Sequence, residues 1–232
     1  MESLQRKSLA QQVAERLIKR ITHGILEPGQ RLPSERDLSV ALKVTRTTIR
    51  EAIKILQGLR LVTVRHGDGV RVRDFLRSAS MEVLGELIFM DGQVNTEALD
   101  QILEARTLYG RVVASLAAQR RTREDIDEYA AQVEKIAGLQ AGELQQLDLE
   151  MFRTIALASK NMVFLFVLNA ITAIYERHEE AFLPAYMDAD LLYRAHNTVL
   201  KAMRDKDSQK AAKVMQEMLE KQRNILMEVH NG

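Results

Sequence analysis

With 232 residues, 46% of them apolar and 28% charged, the chain can bury one large core or two smaller ones. No cysteine is present, which excludes a disulfide framework and a thiolate metal site and fits the expected location, a reducing cytoplasm. The formal net charge of +1 hides an asymmetry: residues 1–75 hold 15 Lys+Arg against 8 Asp+Glu, whereas residues 76–232 hold 18 against 24. A basic first third joined to an acidic remainder suggests that the first part meets a polyanion. The N-terminal stretch is too polar for a secretory signal. The longest run without a Lys, Arg, Asp or Glu, Asn161–Tyr175, falls short of the ~20 apolar residues of a membrane span, so no membrane role is expected.

Leu9, Val13, Leu17, Ile18 and Ile21 recur at helical spacing, and Gly24 follows as a stop. Pro28-Gly29 marks a turn. Ser34 is an N-cap for a second helix, with Asp37 where a capping-box acid belongs. "TRTTIREAIKILQGL" starts a third helix, with Thr45 as its candidate N-cap. "LVTV" and "VRVRD" flank "RHGDG" as a hairpin, with Gly67 and Gly69 supplying positive φ. Helix, turn, helix, tight turn, helix and hairpin make a winged helix-turn-helix over residues 1–74. "FLRSAS" then reads as a linker over 75–80. Residues 81–232 read as all helix, with segments near 81–90, 95–119, 122–138, 143–158, 162–183, 188–204 and 207–229. The fold class expected is mainly α: a winged helix-turn-helix with a small β wing, followed by a helical bundle for ligand sensing.

A helix N-terminus attracts phosphate through its free N–H groups and dipole, and its first turn reaches base edges. Thr45, Arg46, Thr47 and Thr48 fill that turn in the third helix, and Arg50 lies one turn beyond Arg46. The arginine fork matches O6 and N7 of guanine, and threonine hydroxyls suit phosphates. Arg36 stands early in the second helix. Arg65 and His66 occupy the wing tip, where Gly67 is small enough to approach DNA closely. Singly, each arginine reads as a solvated surface residue. Together with the local charge, these nine residues read as a DNA-binding set.

The stretch "GILEPGQRLPSERDLSVALKVTRTTIREAIKILQGLRLVTVRHGDGVRV" resembles the DNA-binding domain of the GntR superfamily of bacterial transcription regulators. The resemblance covers residues 8–73, and "VTRTTIRE" followed by "HG" is similar to the FadR subfamily in particular. It implies DNA contacts at Arg36, Thr45, Arg46, Thr47, Thr48, Arg50, His66 and Gly67. Asp68 departs from the basic or small residue usual next in such wings.

A looser resemblance, carried by "ILEARTLYGRVVASLAAQR", "LDLEMFRTIALASKN" and "AHNTVLKAMRDKD", extends the subfamily over roughly 80–228 and implies a small-molecule sensor. Many such domains hold a divalent metal through an Asp and a His four apart plus two later His. Here Arg153 takes the first His position, Leu149 precedes it by four, and Met218 takes the last ligand position; only His196 matches. Asp148 is displaced by one residue, about 100° around the helix. No metal or other cofactor is therefore expected. The resemblance implies instead a sensor of long-chain acyl-CoA, with Arg106 pointing into the pocket and Tyr109 beside it. Arg106 with Arg153 is the expected anion site, and a salt bridge from these arginines to Asp148 or Glu150 is the structural alternative. The apolar stretch at Phe164 and the polar residue Tyr175 complete the candidate ligand set with His196, against the alternative of plain core packing.

The function expected is a ligand-responsive, sequence-specific DNA-binding regulator, paired as a homodimer on a palindromic double-stranded operator, with a small-molecule effector. A regulator sensing a small organic acid and a ligand-independent DNA-binding dimer are the alternatives. An enzyme is not expected: the chain has no nucleophile elbow, no glycine-rich phosphate loop and no HExxH.

Overall fold

The structure, a computed structural model, describes residues 8–65, 67–90 and 93–231. It divides into two compact units, Met1–Asn95 and Thr96–Gly232.

In the first unit α1 (Leu9–Thr22), α2 (Glu35–Leu42) and α3 (Arg46–Gly58) precede an antiparallel hairpin of β1 (Val62–Arg65) and β2 (Gly69–Val72). Each helix starts on a hydroxyl. Ser8 and Gln11 form a reciprocal capping box on α1, Ser34 accepts from the Asp37 N–H on α2, and Thr45 accepts from the Thr48 N–H on α3. Val13, Leu17, Ile18 and Ile21 of α1 meet Leu38, Ile49, Ile53, Leu56, Val62 and Val72 in one core. The chain before α2 adds a third row to the wing. The Gly29 N–H donates to the Val72 carbonyl at 2.9 Å and the Leu32 N–H to the Val70 carbonyl at 2.8 Å.

The expected linker at 75–80 is not an extended connection. Phe75–Ser78 forms a helical turn, α4, in which Ser78 Oγ donates to the carbonyl of Asp74 at 2.7 Å. The helix expected over 81–90 is shorter, α5 (Val83–Ile88), and a hairpin of β3 (Phe89–Met90) and β4 (Gln93–Val94) follows it. Val83 is buried in the first core, and Phe75 and Leu87 pack against it. These segments are too short for their periodicity to reveal which core they join. Apolar surface left open by α1 to α3 captures them, so the first unit extends to Asn95.

The second unit holds α6 (Thr96–Arg120), α7 (Arg123–Glu134), α8 (Ala141–Ala158), α9 (Met162–Arg177), α10 (Glu179–Phe182), a 3-10 turn (Leu183–Tyr186), α11 (Ala189–Asp205) and α12 (Ser208–Asn231). The helix expected over 162–183 breaks at His178, whose φ of −129° and ψ of 38° leave the helical region, and Pro184 sits early in the turn that follows. None of the helices described is long and apolar enough to cross a membrane.

Buried positions on α6 follow a four–three alternation through Leu99, Leu103, Arg106, Gly110, Val113 and Ala117. Such a seam packs closely against a facing helix. That helix is α12, which runs antiparallel and presents Ala211, Met215, Met218, Gln222 and Leu226. The helices approach so closely at Gly110 that a Cβ there would collide with Leu219 Cδ1 and press on Met215. Gly110→Ala is accordingly expected to lower stability by about 1–2 kcal/mol, the cost of overpacking, despite alanine's better helix propensity. A urea midpoint equal to or above the wild type would contradict the close approach.

Candidate functional site

Two places gather polar side chains that folding alone does not require. The first is the N-terminal edge of α2 and α3. Arg36, Thr45, Arg46, Thr47 and Arg50 are exposed there, and Thr48 is half-buried. Thr45 and Thr48 hold each other, Oγ1 to Oγ1 at 2.9 Å, while Thr45 caps the helix. Arg50 Nε donates to Glu35 Oε2 at 2.7 Å, tying α3 to the start of α2. Arg36 and Arg46 have no protein partner among the described residues. The cap thus fixes the first turn of α3, and the guanidinium groups of Arg36 and Arg46 stand exposed beside it.

The wing is held by residues outside the expected set. Arg71 donates through Nε and Nη2 to the two Asp68 oxygens at 2.6 and 2.8 Å, and through Nη1 to the Gly29 carbonyl at 2.9 Å. Gly67 and Gly69 turn left-handed at φ 78° and 81°. A Cβ at Gly69 would press on the Arg31 guanidinium, which lies against the turn. Arg65 is exposed at the end of β1. His66 lies outside the described residues. The bond from Arg71 holds the Asp68 carboxyl below the usual carboxylate range, with the nearby charges of Arg71, Arg31 and Arg65 assisting. A lowered carboxyl contributes order above the unfolded value of ~3.9 and loses it as pH falls through the folded value. The wing clamp is therefore expected to be intact at pH 7 and to open only in acid below that range. Proton resonances of the Gly67 and Gly69 amides report it, and in Asp68→Asn their acid-induced shift should vanish.

The second place lies inside the helical unit. Arg106 on α6 is 5% exposed, Asp148 on α8 is 2%, and His196 on α11 and Gln222 on α12 are fully buried. Asp148 Oδ1 pairs with His196 Nε2 at 2.8 Å. Asp148 Oδ2 accepts from the Tyr186 hydroxyl at 3.0 Å and from Arg106 Nη2 at 3.4 Å. The far ring nitrogen, Nδ1 of His196, meets the Tyr129 hydroxyl at 2.7 Å. Arg106 Nη1 donates to Gln222 Oε1 at 2.8 Å, and its guanidinium lies between the rings of Phe152 and Tyr175, at 5.1 and 5.0 Å. Burial acts against the charged guanidinium, but the surrounding oxygens of Tyr175, Tyr186 and Asp148 outweigh it, so the proton is held above the ordinary arginine value. Burial and the Asp148 carboxylate push the hydroxyls of Tyr129 and Tyr186 well above the usual phenol value. Both hydroxyls keep their protons, and that of Tyr186 donates to Asp148. The centre of the bundle is thus the Arg106–Asp148 pair wrapped in hydrogen-bonding groups.

Of the expected ligand residues, the core brings together Arg106, Tyr175 and His196. Tyr109 and Phe164 form a neighbouring contact: the Tyr109 hydroxyl donates to the Phe164 carbonyl at 2.6 Å, and the rings meet edge to face at 5.8 Å. Arg153 is not with them. It lies about 140° around α8 from Asp148, exposed, with Nη1 at 3.3 Å from Asn169 Oδ1, so its pairing with Arg106 as an anion site is corrected. Asp148, one place off the expected ligand position, nevertheless faces His196. Sequence reasoning missed Tyr129 and Gln222. Their signal was available: like Arg106 and His196, each is a polar residue at a core position of an amphipathic helix.

A divalent cation does not suit this centre. Both oxygens of Asp148 are occupied, and a buried guanidinium 3.4 Å away would repel a second cation. Among the described residues no group of three or more His, Asp or Glu is placed to hold a metal.

A winged helix-turn-helix joined to an all-helical unit with a polar core defines the class, a two-domain regulator architecture. Residues 9–72 match the model for "Bacterial regulatory proteins, gntR family" and residues 101–221 match the FCD domain. The HTH-type transcriptional regulator Mce2R of Mycobacterium tuberculosis is 40% identical over 53% of this chain and 52% of its own length, so this chain spans about half of that relative. The fatty acid metabolism regulator protein of Serratia proteamaculans is 31% identical over 70% of this chain and 67% of its own. A solved Listeria monocytogenes structure, of Lar, which is described as controlling expression of the agr system, shares the fold. It has a TM-score of 0.60 at 14% identity, covering 97% of this chain and 99% of that one. The chain belongs to the GntR family of bacterial regulatory proteins, in its FadR-like subfamily with an FCD domain.

Proposed function

We propose that the chain is a transcription regulator that binds a palindromic operator as a homodimer and responds, without a metal, to a small effector. The observation that carries the DNA-binding half is the pair of exposed guanidinium groups, Arg36 and Arg46, at the N-terminal edge of α2 and α3, without a partner among the described residues. They sit in a region with 15 basic against 8 acidic residues, beside a glycine-bearing wing. Effector binding acts by favouring one spacing of the two DNA-binding units over another.

Long-chain acyl-CoA is the effector this reading favours, supported by relatives named for the control of fatty acid metabolism. A small organic acid is the second reading, and a specific observation favours it. Beside Arg106 the Tyr175 hydroxyl and the Gln222 amide nitrogen are buried without a hydrogen-bond partner among the described residues, as are both amide atoms of Gln145 on α8. Such groups gain from a polar guest.

Fluorescence anisotropy of the protein on a selected operator, at fixed salt, separates the two. Acyl-CoA is expected to weaken binding while short carboxylates and chelator leave it unchanged. Weakening by a short carboxylate alone moves the assignment to the organic acid. Equal affinity for operator and scrambled DNA would overturn the regulator reading itself.

A further inference from the structure

We propose that the outer face of α9 is the surface on which two copies of this chain pair. The proposal rests on the dimeric regulator reading and gives it a location. From Met162 to Leu168 the helix reads MVFLFVL, apolar on every side. A helix that is apolar all round is normally covered all round. Within one chain only Leu168, Ile171, Thr172, Ile174 and Tyr175 are buried, whereas Met162, Val163 and Phe166 are 68%, 60% and 67% exposed. Met162 and Phe166 lie one turn apart on the same exposed stripe, which continues through Asn169 and Ala173.

Area and charge point to a second copy as the occupant. With Leu157, which is 46% exposed at the end of α8 leading into α9, these side chains present on the order of 500 Å² of apolar surface. That is more than half of the ~800 Å² each partner contributes to a standard interface. No Lys, Arg, Asp or Glu occurs from Asn161 to Tyr175, although residues 76–232 carry 24 acidic against 18 basic residues. Two acidic bodies repel over most of their surface. A helix face whose own residues carry no charge from Asn161 to Tyr175 lets them meet about a two-fold axis, where the same patch faces itself and the exposed Arg153 guanidinium beside Asn169 stays solvated at its rim. A basic protein partner would instead be drawn to the acidic surfaces elsewhere.

Sedimentation equilibrium of the full chain tests this, with Phe166→Glu as the variant and Val229→Glu as control, since Val229 is a 53% exposed apolar residue on α12. Wild type and control are expected at twice the 26.4 kDa chain mass. Phe166→Glu should dissociate with a dimer Kd weakened at least about 100-fold, its far-UV helical signal unchanged. A dimeric Phe166→Glu, a monomeric wild type at micromolar concentration, or wild type that instead floats with neutral phospholipid vesicles would each overturn the assignment. Operator anisotropy separates the two readings: a monomeric wild type that still discriminates operator from scrambled DNA sinks this surface and leaves the regulator standing. A dimer dissociated by Phe166→Glu that does not discriminate does the reverse.

Discussion

Asp148→Ala is expected to destabilise the protein by about 3–5 kcal/mol, the cost of leaving a buried charge without its partner. The substitution removes the only carboxylate bonded to Arg106 among the described residues, and it strips His196 and Tyr186 of their shared acceptor as well. Arg106 is too buried to recover its hydration, and the carbonyl oxygen of Gln222 is a neutral substitute. Urea unfolding of the purified chain measures the loss. Replacing both charges, as in Arg106→Met with Asp148→Leu, is expected to recover most of it, because the desolvation cost of the pair disappears with its attraction. A loss under about 1 kcal/mol in the single variant would mean that water or another group reaches the guanidinium. The core would then be an open pocket, not a closed network.

Arg46→Ala is expected to weaken operator binding by about 1–3 kcal/mol, roughly 5- to 150-fold, and to relax base preference at one position in each half-site. Arg46 is exposed at the first position of α3, and the Thr45 cap leaves the helix start unchanged when the guanidinium is removed. Arg36→Ala should behave differently. Arg36 could anchor a phosphate or a base. As a phosphate anchor it carries no sequence information, so affinity should fall evenly across operators and the salt dependence should flatten by about one ion, whereas a base contact would relax preference at one position. Anisotropy titrations against an operator and its single-base variants, at several salt concentrations, distinguish the two. An Arg46→Ala profile with unchanged base preference would move the reading of bases elsewhere, with Arg50 next in line once it leaves Glu35.

Much of the first unit was legible because its signals are local. Ser34 and Thr45 announce two helix starts, Pro28-Gly29 a turn, and Gly67 and Gly69 a hairpin; each acts over three or four residues, and the structure has each as expected. The segment 75–94 was not legible. Its helices and strands are short, and Phe75, Val83 and Leu87 satisfy either core equally well as sequence. The break at His178 was missed for a related reason: apolar residues continue past it through Phe182 and Leu183, so periodicity saw one helix.

What the sequence by itself determined was the division of the chain: a basic, glycine-winged first unit with Arg36 and Arg46 at helix starts, and an acidic helical remainder. Charge balance, capping and motif spacing are written residue by residue, so no partner across the fold is needed to read them. Only the tertiary structure decided that Arg106 answers to Asp148 and Gln222 and not to Arg153. These partners stand 42 and 116 residues away in the chain. Which face of α8 turns inward is set by the packing of several helices at once. A five-residue difference along α8, about 140° of rotation, separates a buried carboxylate from a solvated guanidinium.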